Sequence, residues 1–330
     1  MKNVMKLLTI KSLAVAAGLT LLLSSCSKEA PNIFNMFDVT LDLETDKTPD
    51  ADGIIEIDDT DSVTVNYTIA CPSEDIYGVA LFKTGSSGGN VTNISATRKA
   101  TGTYKLYAKD MGAGITTYRI WAVNRASVYL GDGYKNIQIK VKTAFTYFTN
   151  RFMYAADTAG KQLSFISLSN GISYNYADAA AKSESIDMGV HVSRKDTVVK
   201  FNGADSTVTY YPLIVYSTAA QPNPNPLYDF SKWAKRGTVF SIPEDGSEEK
   251  LRVNFNTSTK IGDEAKKKTF SSVIRTGYDK RAEGDRNNVF TGKFVFFKTP
   301  EGKYGVILFN VAKKDAAGKV YVNLSWRTQL

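Results

Sequence analysis

Apolar and polar positions alternate along the chain from Asp38 onward. In residues 62–69 every odd-numbered position is apolar, and residues 39–43 repeat the pattern. A period of two is typical of half-buried β-strands, because successive side chains of a strand point to opposite faces. Between glycine-rich turns, four further strands are predicted, at residues 76–82, 103–108, 117–123 and 136–141. Six or seven short strands without a helical segment predict an antiparallel β-sandwich over residues 38–143.

The remaining residues, 144–330, are less regular but also rich in strand patterns. An alanine-rich stretch within residues 176–185 predicts one short helix, and residues 293–298 and 304–311 flank a Thr-Pro-Glu-Gly-Lys turn that predicts a hairpin. The last predicted strand places four apolar residues on one face: Val320, Val322, Leu324 and Trp326. The predicted fold class is therefore mainly β, with a β-sandwich followed by a second β-rich domain with little helix.

The first 26 residues differ from the rest and predict export. Three lysines accompany an apolar run of 11 residues at 13–23. This run is shorter than the roughly 20 residues that span a bilayer, but it suits a cleaved signal peptide. It ends in Leu23-Ser24-Ser25-Cys26, which resembles the lipobox cut by signal peptidase II.

Cleavage before Cys26 would remove residues 1–25 and expose a cysteine that carries fatty acyl chains such as palmitate, with residues 26–37 as a short tether. Two or three chains anchor a protein firmly in a membrane. A signal peptide that merely contains a cysteine, or a signal anchor, is the alternative.

Segments of both halves resemble exported proteins. Residues 118–124 and 137–141 resemble the last two strands of immunoglobulin-like modules, without the Cys-Trp-Cys framework of antibody domains. Five segments of the second half resemble a C-terminal domain of lipoproteins from polysaccharide-utilising Gram-negative gut bacteria: residues 167–174, 186–190, 211–220, 233–240 and 298–309. This resemblance implies an immunoglobulin-like module, a β-rich second domain and an outer-membrane address. Lys28-Glu29 is similar to part of their surface-export signal, so a surface-facing position is expected over a periplasm-facing one.

Charge is distributed unevenly along the chain. Without residues 1–25, it has 38 basic and 33 acidic residues, a net charge of +5. Residues 27–65 carry −9 and residues 66–330 carry +14. The asymmetry indicates either an acidic partner for the basic part or a solvated basic face. No run of five or more Lys and Arg occurs, so nucleic acid is not an expected partner.

Few residues suggest catalysis. His191 is the only histidine, and on a strand it would lie about 13 Å from Asp187, so we expect a solvent-facing histidine and no Ser-His-Asp triad. With Cys26 acylated, Cys71 has no disulfide partner, and we expect it to be a small buried hydrophobe. No motif selects a pair of carboxylates for glycoside hydrolysis, so we do not expect an enzyme.

The acidic segment 50–61 suggests a calcium site, since calcium takes six to eight oxygen ligands. Its candidate ligands are Asp50, Asp52, Asp58 and Asp59. The EF-hand spacing is absent, and an acidic loop that is simply solvated is the alternative. Calcium is the only cofactor that the sequence suggests.

Glycan binding needs exposed aromatic rings on which sugars can stack. Tyr228 and Trp233 follow the proline-rich segment 221–226 and are the candidates, the alternative being that they fill the core beneath it. Trp121 and Trp326 are expected in the core. The leading hypothesis is a lipid-anchored, non-catalytic binding accessory for polysaccharide. A structural or adhesive surface protein that binds other envelope proteins is the alternative, and a glycoside-active enzyme is third.

Overall fold

The structure is a computed structural model that describes residues 38–131, 135–193, 195–275 and 290–330. The predicted signal peptide, Cys26 and the tether lie outside the described residues. The chain divides into two compact units, the first containing Thr64–Tyr104 and Thr117–Gln138 and the second containing Pro49–Val63, Lys105–Thr116 and Ile139–Leu330. The predicted domain boundary at residues 143–144 stays a prediction.

Eight strands and one helical turn form the amino-terminal part of the described chain: β1 (Thr40–Thr45), β2 (Ile54–Ile57), β3 (Ser62–Ala70), β4 (Ile76–Lys83), β5 (Asn90–Thr97), β6 (Lys99–Tyr107), α1 (Ala108–Met111), β7 (Gly114–Val123) and β8 (Lys135–Val141). They build two sheets, with strand orders β1-β3-β6 and β2-β8-β7-β4-β5. The alternation in β3 matches its burial, because Val63, Val65, Tyr67 and Ile69 are all buried.

The carboxy-terminal part holds fourteen strands and three helices within the described residues: β9 (Phe145–Tyr154), β10 (Phe165–Ile166), β11 (Ser173–Tyr174), α2 (Tyr176–Ala181), β12 (Met188–Val192), β13 (Lys195–Phe201), β14 (Ala204–Tyr210), β15 (Leu213–Tyr216), β16 (Val239–Ser241), β17 (Glu244–Asp245), α3 (Glu248–Asn254), α4 (Ser258–Ala265), β18 (Phe270–Ser271), β19 (Val273–Arg275), β20 (Lys293–Lys298), β21 (Tyr304–Lys314) and β22 (Val320–Gln329). A short 3-10 turn follows α2 at Ser183–Ser185.

Two sheets dominate this part. One has the order β11-β10-β12-β15-β19, and the other has the order β18-β16-β20-β21-β22-β9, with β17 also paired to β20. Strands β13 and β14 form a separate hairpin. The predicted hairpin of β20 and β21 and the predicted last strand are confirmed, since β20 pairs with β21 and β21 with β22, antiparallel.

The main core lies between these two sheets. Apolar residues of β12 and β15 pack there against β20, β21 and β22, with Trp326 fully buried as expected. The outer face of the larger sheet is covered over part of its area by α3 and α4, through Leu251, Phe255 and Ile261. The layered arrangement explains why β20 reads as an almost continuous apolar run, because both of its faces are buried.

Helices α3 and α4 each begin at a side-chain cap. Ser247 accepts a hydrogen bond from the Lys250 amide, and Thr257 accepts one from the Lys260 amide. Such caps satisfy backbone donors that the first turn of a helix leaves unpaired. The structure is mainly β with antiparallel sheets and few helices, which confirms the predicted fold class. Among the described residues, none of the helices combines the length and apolar character needed to cross a bilayer.

Candidate functional site

The predicted stacking residues Tyr228 and Trp233 are buried. Their exposed fractions are 6% and 8%, and both belong to a cluster, here called the aromatic cluster, on the face of β15 opposite the main core. Its aromatic members are Phe165, Tyr174, Tyr176, Tyr216, Tyr228, Phe230 and Trp233. The expected exposed platform is therefore wrong at these positions, because the chain after the proline-rich segment folds inward to cover the sheet.

Contacts within the aromatic cluster show how tightly it is built. The ring of Trp233 lies 5.0 Å from Phe165 and 4.8 Å from Phe230, centroid to centroid. The Tyr216 hydroxyl accepts a hydrogen bond from the Asn225 side-chain amide at 3.0 Å. Burial raises the pKa of Tyr216 and of Tyr228, so both phenols stay neutral.

Three of the four candidate calcium ligands, Asp50, Asp58 and Asp59, have carboxylates held in separate local contacts. Asp50 Oδ1 accepts hydrogen bonds from the Asp52 and Ile54 amides, and Asp58 lies 3.2 Å from the Lys142 ammonium. Asp59 is buried, and its carboxylate accepts from the Thr259 amide at 3.2 Å. Within the parts of the chain that the structure describes, no group of three or more His, Cys, Asp or Glu could hold a metal ion. Calcium at these acids stays a prediction.

His191 lies on β12, inside the five-stranded sheet, with β10 and β15 on either side. It is 6% exposed, so the expectation of a solvent-facing histidine is wrong, because a strand in the middle of a covered sheet buries both faces. Burial lowers its pKa. Among the described residues its Nδ1 atom has no hydrogen-bond partner.

Asp187 belongs instead to an ion network. Its Oδ1 accepts from Arg236 Nε and from the Thr238 hydroxyl, both at 2.8 Å, and its Oδ2 accepts from the Leu168 amide at 2.8 Å. The same guanidinium donates to both carboxylate oxygens of Glu301 at 2.8 Å. This fork lowers the pKa of Glu301 to about 2. A carboxylate held ionised in this way is unsuited to be a general acid.

An exposed line of rings lies on the larger sheet, at the edge formed by β22 and β9. Here called the aromatic row, it consists of Phe152, Tyr321 and Tyr154, with centroids 6.1 Å and 5.8 Å apart in that order. Tyr321 pairs with Tyr154 across the two strands, and Met153 between the two β9 rings points into the main core. Phe152 is 49% exposed, and the two tyrosines are half-buried.

The residues that follow the row lead to a cavity of about 480 Å³, here called the strand-end cavity. Tyr154 is followed by Ala155, whose amide donates to the carbonyl of Val320, the neighbour of Tyr321, at 2.9 Å. Polar and aromatic side chains line the cavity, namely Asp157, Gln162, Tyr211, Lys314 and Lys319. This volume falls in the range of about 300–1,000 Å³ that small-molecule sites occupy.

The aromatic row was not predicted, although the sequence carries its signal. Residues 152 and 154 flank a buried methionine with a period of two, and Tyr321 lies on the face of the last strand opposite its apolar residues. What the sequence does not reveal is that β9 pairs with the last strand, about 170 residues away along the chain. That pairing brings the three rings together.

Trp121 also differs from its prediction. It is half-buried rather than part of the core, and its ring lies 4.7 Å from Tyr129 and 6.2 Å from Phe82. The guanidinium of Arg119 lies 5.9 Å from the same ring. Because these rings lie on β4, β7 and the segment after β7, they make a second aromatic surface, in the first unit.

Comparisons with known proteins give only distant likenesses. No family model matches the sequence, and no curated protein matches it. A DUF4466 family protein from Parabacteroides merdae is 12% identical over 88% of this chain and 99% of its own, with a TM-score of 0.36. The sialic acid binding region of a Streptococcus sanguinis adhesin is 11% identical over 86% of this chain and 76% of its own, with a TM-score of 0.19.

A β-glucosidase from Listeria innocua, solved with isofagomine, is 12% identical over 32% of this chain. The match covers 16% of the β-glucosidase, with a TM-score of 0.21. TM-scores this low carry no conclusion about the fold or the function of this chain.

Proposed function

We propose that this protein is a lipid-anchored outer-membrane protein that faces the cell surface and binds polysaccharide without catalysis. The observation that supports this function is the aromatic row on the outer face of the larger sheet, with the strand-end cavity lined by the neighbouring residues Ala155 and Val320. Aromatic rings with one open face offer an apolar surface to the C–H groups of a sugar ring. Three rings spaced about one sugar residue apart suit a chain of sugars better than a single small molecule.

The composition of the cavity supports the same function. Glycan sites combine stacking surfaces with side chains that donate and accept hydrogen bonds, and Gln162 does both. Tyr211 is 48% exposed and lines the cavity, so a fourth ring lies beyond the row. Neither surface requires the chain to move, because both lie on or beside paired strands.

A structural or adhesive role is the second candidate. Strand β5 lies at the edge of its sheet, and most of its residues are exposed. An open edge strand can pair with a strand of another protein. However, the exposed residues of β5 are mainly Asn, Ser and Thr, without the apolar anchors that dominate protein interfaces. An enzyme has less support, since Arg236 keeps Glu301 ionised and lowers its pKa to about 2, which does not suit a general acid.

Affinity gel electrophoresis tests the proposal. The full-length protein in non-ionic detergent is run through gels that contain one polysaccharide each, and we expect retardation by at least one of them. The double variant Phe152→Ala/Tyr321→Ala should lose this retardation. The matched control is Tyr107→Ala, which removes a 43% exposed tyrosine from a different strand, β6. Absence of retardation on every polysaccharide would refute the proposal in favour of the adhesive role.

A third variant, Trp121→Ala, distinguishes the two aromatic surfaces. Retardation that is lost in Trp121→Ala but kept in the row variant would move the binding site to the first unit. We expect the opposite, because Phe152 of the row is 49% exposed, whereas Phe82, Trp121 and Tyr129 are all half-buried.

The anchor is tested separately. The variant Cys26→Ser should accumulate as the unprocessed chain and lose its acyl chains, because signal peptidase II acts on a lipid-modified cysteine. Metabolic labelling with a palmitate analogue and fractionation of membranes measure both effects. Labelling of the variant equal to that of the parent would contradict the anchor, without bearing on glycan binding.

A further inference from the structure

We propose that the polysaccharide is acidic, and that Lys314 and Lys319 bind its carboxylate groups at the strand-end cavity. This inference rests on the proposed function and adds the chemical class of the ligand. It starts from the chain: residues 66–330 carry a charge of +14, which suits an acidic partner. The structure gives that charge a location beside the stacking surface.

Three lysines lie close together in sequence at the end of β21 and in the turn after it, two of them at the strand-end cavity and one at the aromatic row. Lys314 and Lys319 line the strand-end cavity, and the ammonium of Lys313 lies 6.0 Å from the ring centroid of Tyr321. All three come from the end of β21 and the turn that leads into β22. In the pairing of β21 with β22, Lys313 lies opposite Tyr321 and Lys314 lies opposite Val320, so Lys313 shares the face of the row and Lys314 shares the face of the cavity.

The acids near this site are already held by backbone donors. Asp157 Oδ1 accepts from the Lys161 and Gln162 amides at 2.9 Å and 3.1 Å. Asp315 Oδ1 accepts from the Ala317 and Lys319 amides at 2.9 Å and 2.8 Å. Hydrogen bonds from amides spread the charge of a carboxylate and lessen its repulsion of a second anion.

The cavity also matches the shape of a charged sugar. It joins the exposed ring of Tyr211, the amide of Gln162 and two ammonium groups within about 480 Å³. A uronic acid residue presents an apolar ring face, hydroxyl groups and one carboxylate, which these three kinds of side chain complement. A neutral sugar would use the first two and leave the lysines without a partner from the ligand.

Two polymers with one backbone test this inference. Polygalacturonate and its highly methyl-esterified form differ mainly in whether their carboxyl groups are charged. Affinity electrophoresis of the full-length protein in detergent, with EDTA to remove calcium, gives a dissociation constant for each. We expect stronger retardation by polygalacturonate, and a decline in that retardation as sodium chloride is raised, because salt screens exposed charges.

The lysine variant provides the second readout. The double variant Lys314→Gln/Lys319→Gln should bind polygalacturonate about three- to tenfold more weakly, because exposed ion pairs are individually weak. Lys232→Gln/Lys235→Gln, a control with the same change of net charge at two exposed lysines elsewhere, should match the parent. Equal binding of both polymers by the parent, or an equal loss in both double variants, would overturn the acidic ligand.

The results that would contradict glycan binding itself differ from those that would contradict only the acidic ligand. If the parent is retarded by neither of these polymers nor by any other polysaccharide, then glycan binding itself is wrong. If the parent binds neutral polymers through the aromatic row and ignores the carboxylate, only the further inference is wrong. The row variant Phe152→Ala/Tyr321→Ala separates these cases.

Discussion

The aromatic cluster and the aromatic row use the same residue types in the same unit, with opposite results. In the cluster, rings of the segment after the proline-rich stretch fold back onto β10 and β15, and Trp233 ends 8% exposed. In the row, rings extend from paired strands onto the part of the outer face that the core cluster of α3 and α4 does not include, and Phe152 ends 49% exposed. A loop can fold over its own rings, whereas a paired strand holds its rings where the sheet places them.

This difference teaches that the neighbours of an aromatic residue decide its role. A ring beside an irregular segment is free to bury itself, and the hydrophobic effect favours that outcome by about 25 cal/mol per Å² of apolar surface. A ring on the open face of an edge strand has no segment to cover it. Exposed aromatics on strands are therefore better candidates for ligand contacts than aromatics that flank loops.

The largest expected effect is in the cluster. Trp233→Ala should lower the free energy of unfolding by about 3–5 kcal/mol, because it removes a large side chain from a packed site. Urea denaturation followed by tyrosine and tryptophan fluorescence measures this change, with Trp233→Phe as a milder variant. A loss below about 1 kcal/mol for Trp233→Ala would show that the cluster is loosely packed and would remove the contrast with the row.

A smaller loss is expected from the polar contact inside the cluster. Tyr216→Phe deletes the hydroxyl that accepts from the buried Asn225 amide, so one donor loses its partner. An unsatisfied buried donor costs about 1–3 kcal/mol. The double variant Tyr216→Phe/Asn225→Ala should lose less stability than the sum of the two single variants. Strict additivity of the two losses would mean that the hydrogen bond contributes nothing.

In the row, stability and binding should separate. Phe152→Ala should change the free energy of unfolding by about 0.5 kcal/mol or less, as expected of an exposed site, and Tyr321→Ala, at a half-buried site, by about 1 kcal/mol. Their effect should be on polysaccharide retardation, which measures the ligand contact directly. A destabilisation as large as that of Trp233→Ala would place the row in the structural core and end its candidacy as a binding surface.

The smallest effect concerns pH and His191. Its side chain shares the buried face of β12 that packs towards the cluster, because it pairs with Ile214, a member of that cluster. Burial lowers the pKa of His191 in the folded state, so the unfolded chain binds the proton more readily. Stability should therefore fall as pH drops below about 6.5, the ordinary value for histidine. Urea midpoints between neutral and mildly acidic pH measure this.

The variant His191→Gln should flatten that pH dependence, since Gln has no proton to gain. An unchanged slope in the variant would assign the effect to other groups. Carboxylates interfere little in this range, because their ordinary pKa values lie near 4.

Much of the fold could be predicted from local patterns, but contacts between distant segments could not. The period of two located β3 and the last strand, and the Thr-Pro-Glu-Gly-Lys turn located the hairpin of β20 and β21. Two local signals were missed: the Ser247 and Thr257 caps of α3 and α4, and Asn202-Gly203, the turn dipeptide between β13 and β14.

The candidate site depended on information that no local pattern contains. The burial of Tyr228 follows from a loop folding onto a sheet, and the aromatic row follows from β9 pairing with the last strand. Charge asymmetry did indicate a basic region, without saying which lysines gather. The sequence could therefore suggest the class of ligand but not the surface that would hold it.

Arg236 links the two sheets of the second unit through ion pairs. One end of its guanidinium holds the buried carboxylate that precedes β12, and the other end grips Glu301 in the turn between β20 and β21. The side chain thus works as a brace that joins the two layers at one end of the main core. Because the pKa of Glu301 is about 2, the Arg236–Glu301 ion pair makes its full contribution to stability above pH about 4.5. That contribution is lost only in stronger acid. The two sheets should consequently stay packed at this end in mild acid. The packing between β12 and the aromatic cluster, which includes His191, should weaken first.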